Sequence, residues 1–79
     1  MQNMEKIIGE IERSETEKVI VQVKEFKGRT YVDFRIHYLA DEDEWRPTQK
    51  GITVAPALWE EFKKHVEETN TFLTTEGLI

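Results

Sequence analysis

Seventy-nine residues without a cysteine exclude a disulfide-stapled scaffold. A chain this short buries only about 60% of the surface its unfolded form exposes, so self-association is the expected source of further burial. The opening MQNMEKIIGEIERSE lacks the apolar run of a secretory signal and no stretch reaches membrane-spanning length, so the chain reads as a soluble, cytoplasmic protein without a membrane partner.

In chain order, residues 6–12 (KIIGEIE) are a short strand candidate and RSETE is a polar connection. Residues 18–26 (KVIVQVKEF) alternate with period two, placing Val19, Val21 and Val23 on one face and Ile20, Gln22, Lys24 and Phe26 on the other. KGR makes a turn in which Gly28 supplies a positive φ. Residues 30–39 (TYVDFRIHYL) form the next strand, with Val32, Phe34, Ile36 and Tyr38 opposite Tyr31, Asp33, Arg35 and His37. ADEDEWRPTQ reads as a loop, because Pro47 has no amide donor and four adjacent acids repel one another. Residues 50–55 (KGITVA) are a fourth short strand. Pro56 then opens a helix whose apolar stripe runs through Leu58, Trp59, Phe62, Val66 and Thr69. Residues 1–79 thus form one α+β domain, β-β-β-β-α: a four-stranded antiparallel sheet, one C-terminal helix on one face, and the other face left to solvent.

The formal charge of -5 averages over an uneven distribution. Cations gather in residues 21–39 and 46–55, on either side of the acidic Asp41–Glu44. FKGRTYVDFRIH interleaves aromatic and cationic side chains around one turn, the combination a single-stranded nucleic acid requires: cations along the backbone and flat rings on which bases stack.

VQVKEFKGRTYVDFRIHYL, the loop ending in RPTQKGITV, and APALWEEFKKHVEE together resemble the single-stranded-DNA-binding domain of positive cofactor four, the transcriptional coactivator p15, and its bacterial and phage relatives. The resemblance covers roughly residues 19–69. It implies a curved sheet, a homodimer packed through helices and last strands, and binding of single strands along the sheet. Phe26 resembles the family's stacking aromatic, Lys27 and Arg29 its flanking phosphate-binding cations, and Arg35 the cation of the third strand. Arg46 and Lys50 match basic positions around the loop, with Lys24 beside Phe26 and His37 on the same face as Arg35. Tyr38 stands where a tryptophan is familiar and Gln49 where a basic residue is, which weakens one stack and removes one phosphate contact. The expected role is largely sequence-independent binding of single-stranded DNA in transcription regulation, replication or repair, in the cytoplasm or at a bacterial nucleoid.

Other readings of the same residues compete with this one. An acidic protein-interaction adaptor would keep the fold without strong nucleic-acid affinity, and RNA is an alternative ligand because a stacking platform ignores the 2′-hydroxyl. Trp45 either folds back on the sheet or lies beside a base. Arg46 and Lys50 have the acidic loop within reach as an alternative partner. Asp41–Glu44 lack the glycine and distal glutamate of an EF-hand, so no metal is assigned. No nucleophile, partnered histidine or glycine-rich phosphate loop occurs in a catalytic spacing, so neither enzyme activity nor a cofactor is expected.

Overall fold

The computed structural model describes residues 5–79. Four strands, β1 (Glu5–Glu12), β2 (Glu17–Phe26), β3 (Arg29–Asp41) and β4 (Glu44–Val54), form one antiparallel sheet in the order β1-β2-β3-β4. A 3-10 turn at Pro56–Leu58 leads into helix α1 (Trp59–Thr75). The register follows the valine alternation. Val19 pairs with Ile36, Val21 with Phe34 and Val23 with Val32, so their side chains line one side of the sheet. β4 continues that side by placing Val54 beside Val32 and Ile52 beside Phe34. Trp59 and Phe62 close over it: the Phe34 ring lies 6.2 Å from Trp59 and 5.4 Å from Phe62, within aromatic packing range.

Two expectations from the sequence are corrected. The first concerns residues 40–49, which are not a loop. β3 runs on to Asp41 and β4 begins at Glu44, joined by a Glu42–Asp43 turn in which Asp43 has φ 58°. Pro47 is accommodated because β4 is the last strand of the sheet and shifts register between Arg35 and His37, and edges and bulges tolerate a missing donor. The acids are exposed around the turn, where water screens their repulsion.

Secondly, the sheet face opposite the helix is not simply solvated. Ile20, Gln22, Asp33 and His37 on that face are buried, and Asp33 is only 2% exposed. Longer side chains cover the middle of the face, with Arg35 folded across Asp33 and Lys18 over Trp45.

A further refinement concerns the helix stripe, which meets the sheet at Trp59 and Phe62. Trp59 and Phe62 are half-buried, whereas Leu58 is exposed and Val66 is 52% exposed. Further along, Phe72 is 60% exposed. The helix closes with Gly77 at φ 71°, the Gly77 N–H donating to Thr74 O at 3.1 Å and the Leu78 N–H to Leu73 O at 2.9 Å. That is a Schellman stop, in which a left-handed glycine lets the chain satisfy the last carbonyls.

Candidate nucleic-acid interface

The hairpin between β2 and β3 is built by two residues, Lys27 at φ 51° and Gly28 at φ 78°. Positive φ at both central positions matches the right-handed twist of the flanking strands, so the hairpin closes tightly and pairs Phe26 with Arg29. Packing cannot hide the Phe26 ring at this end of the sheet, and it is 64% exposed. Lys27 Nζ stands 5.4 Å from its centroid, so a cation sits beside an open π-face.

From Phe26 a groove of about 420 Å³ runs along the sheet, lined by Lys24, Phe26, Tyr31, Asp33, Arg35 and Thr53. The register explains this set: Lys24 faces Tyr31 across β2 and β3, and Asp33 faces Thr53 across β3 and β4. Lys24, Lys27 and Arg29 take no carboxylate partner among the described residues. Three cations therefore keep their full charge around one exposed ring.

Arg35 lies in the groove but is not free. Its Nε donates to both Asp33 carboxylate oxygens at 3.2 Å, its Nη2 to Oδ1 at 3.0 Å, and its Nη1 to the Thr48 carbonyl at 3.0 Å. Thr48 Oγ1 in turn donates to Ile36 O at 2.8 Å and accepts the Lys50 N–H at 3.1 Å. This cluster stitches the irregular part of β4 to β3. Gly51 makes the approach sterically possible, since a Cβ there would lie 2.4 Å from Phe34 O and 2.9 Å from Arg35 Cα.

The other expected site residues lie elsewhere. His37 is 7% exposed, with Nδ1 3.2 Å from Arg35 O; a carbonyl only accepts, so Nδ1 carries the proton, and the ring offers no open face for stacking. Tyr38 shares the side of Val32, Phe34 and Ile36 and sits opposite Arg46, which places both away from the groove. Arg46 binds Glu44, with Nη2 and Nε each 3.2 Å from Oε1. Lys50 is exposed in the bulged segment and has no ion pair among the described residues. Trp45 folds back on the sheet, where Lys18 Nζ lies 4.3 Å from its ring centroid while also pairing with Glu10. Among the described residues, no group of three or more potential metal-ligating side chains converges.

Sequence reasoning overlooked Asp33, Thr48 and Gly51. Two of them left a signal. A carboxylate two residues from an arginine on a strand shares its face, and a lone glycine in a strand often marks a close backbone approach. Thr48 left none, because its role depends on a bulge.

The family model described as Transcriptional Coactivator p15 (PC4) matches residues 13–65. The RNA polymerase II transcriptional coactivator KELP of Arabidopsis thaliana is 39% identical over 51 residues, 65% of this chain but 30% of its own length, so the chain spans less than a third of that relative. In crystal structures, a PC4 homologue from Burkholderia pseudomallei superposes with a TM-score of 0.76 at 23% identity, covering 89% of this chain and 95% of that one. MoSub1, crystallised as a complex with DNA, superposes with a TM-score of 0.63 at 26% identity, over 87% of this chain and 84% of its own. A four-stranded antiparallel sheet with one C-terminal helix, carrying an exposed phenylalanine and a lysine–glycine turn at its hairpin, and matched by the family model across most of its length, makes this chain a member of the p15 (PC4) family.

Proposed function

We propose that this protein is a homodimer that binds single-stranded DNA with little sequence preference, through the groove that begins at the β2–β3 hairpin. The observation that carries the reading is the exposed Phe26 ring surrounded by Lys24, Lys27 and Arg29, none of them spent on a carboxylate among the described residues. A strand laid there stacks one base on Phe26 and sets its phosphates against the three cations, with Lys50 further along. Duplex DNA has no free base to stack and binds more weakly. The MoSub1–DNA complex supports DNA as the ligand class.

Anisotropy titrations of one labelled oligonucleotide as single-stranded DNA, duplex and RNA test this directly. With four phosphate contacts, log affinity should fall against log salt with a slope of about -3 per protomer. Equal affinity for duplex, or no salt dependence, would sink the reading and favour a protein-interaction adaptor. Tighter binding of the RNA would move the ligand, not the site.

Dimerisation rests on area. The chain exposes 6666 Å², against about 5,000 Å² for a compact monomer of its mass. Val66, 52% exposed on the stripe of Trp59 and Phe62, and Phe72, 60% exposed on another flank of the helix, are apolar side chains that the described residues leave open. Val66→Asp with Phe72→Asp should leave the sheet folded and halve the mass seen by sedimentation. A monomeric parent at micromolar concentration would refute the dimer.

A further inference from the structure

Arg35 carries a second inference, resting on the proposed DNA-binding reading. An arginine in a groove that takes a strand would ordinarily be assigned to phosphate. Its geometry argues otherwise. Asp33 is 2% exposed and takes the guanidinium at both oxygens, while the remaining terminal nitrogen is directed at the Thr48 carbonyl. Breaking that arrangement would leave a buried carboxylate without a partner, and solvent cannot reach it to compensate. A phosphate outside has water and, among the described residues, three unpaired cations as alternatives; Asp33 has Arg35 as its one side-chain partner there. The pair should therefore stay closed when a strand arrives.

We propose that Asp33, Arg35 and Thr48 form a positioning strut and not a strand contact, and that the strut sets the place of Lys50. Thr48 is the hub. Its carbonyl receives Arg35, its hydroxyl is anchored on the Ile36 carbonyl, and the same hydroxyl accepts the Lys50 N–H. Lys50 stands next to Gly51, whose missing side chain allows β4 to lie against Arg35. The groove's usable charge is accordingly Lys24, Lys27, Arg29 and Lys50, with Arg35 neutralised by its own neighbour.

Two measurements test this. In the free protein, the Arg35 Nε–H should exchange with solvent at least about tenfold more slowly than the exposed Arg29 Nε–H, by nitrogen-15 NMR. Equal exchange rates overturn the strut. For the complex, Asp33→Leu with Arg35→Met removes both charges together, so no buried charge is orphaned and the fold should survive. Affinity for single-stranded DNA should drop about fivefold, and Lys50→Ala should cost less in that background than in the parent, both in affinity and in salt slope. A full additive cost of Lys50→Ala in both readouts removes the link to Lys50, and any slope lost in the double variant then makes Arg35 a phosphate contact. Should the double variant fail to fold, Arg35 exchange in the parent bound to the oligonucleotide decides: slow supports the strut, newly fast overturns it. A parent that binds no strand at all defeats the proposed function, while slow Arg35 exchange would still establish the strut.

Discussion

The two ends of this sheet carry similar residues and behave differently. At the hairpin end, Lys24, Lys27 and Arg29 surround Phe26 with no carboxylate partner among the described residues. At the opposite end, Arg46 is paired with Glu44, and Lys18 is shared between Glu10 and the Trp45 ring. Both ends have an aromatic ring beside a cation, yet of the two, among the described residues, the hairpin alone leaves its cations without a carboxylate. A count of cations therefore overstates the unpaired charge. What matters is which cations the protein has already neutralised: Arg35 and Arg46 by carboxylates two residues along their own strands, Lys18 by Glu10 across β1 and β2.

The largest expected effect tests the frame that keeps the two ends in register. Gly51→Ala pushes a methyl into the β3 backbone at Phe34 O and Arg35 Cα, atoms that cannot swing aside as a side-chain tip would. It should cost about 3 kcal/mol of stability, read as a lower denaturation midpoint at both ends alike. A midpoint matching the parent would mean that β4 does not need its close approach.

Phe26→Ala removes the exposed ring and no charge. It should lose about 1–3 kcal/mol of single-strand affinity while the melting temperature and salt slope hold. Trp45→Phe, at the other end, should leave affinity unchanged, because that ring is occupied by Lys18. Equal losses from the two substitutions would erase the distinction between the ends.

Lys27→Ala is smaller in energy and different in kind. The salt slope should fall by about 0.7 as one phosphate contact disappears. Arg46→Ala should barely move the slope, since Glu44 already neutralises it.

Glu44→Gln offers the finest test. The exposed Arg46–Glu44 pair contributes about 0–1 kcal/mol, so stability should hardly change. Even freed of its partner, Arg46 should leave the salt slope unchanged, because it faces Tyr38 on the far side of the sheet from the groove. A steeper slope would mean that the strand reaches that side as well.

Much of this protein follows from local patterns. Period-two alternation of Val19, Val21 and Val23 determined a half-buried strand and the side it turns inward. FKGR determined the hairpin, because only a short turn with positive φ closes two such strands, and it determined the exposed aromatic–cation cluster, because residues beside a tight turn have nothing to pack against. Pro56 determined the helix start.

Tertiary structure decided the rest. Pro47 and the acids at 41–44 argue locally for a loop, yet the β3–β4 ladder forms because β4 lies at the sheet's edge and its bulge accommodates the proline. Arg35 looks like a free cation in the sequence; Asp33, two residues along the same strand, pairs with it, and Thr48 fixes it only once β4 meets β3. His37 lies on the expected face but is covered by its neighbours. Alternation tells which side a residue takes. Whether that side stays open depends on contacts between strands distant in sequence, which no local pattern encodes, whereas whether a charge stays free depends also on carboxylates along its own strand, as at Arg35 and Arg46.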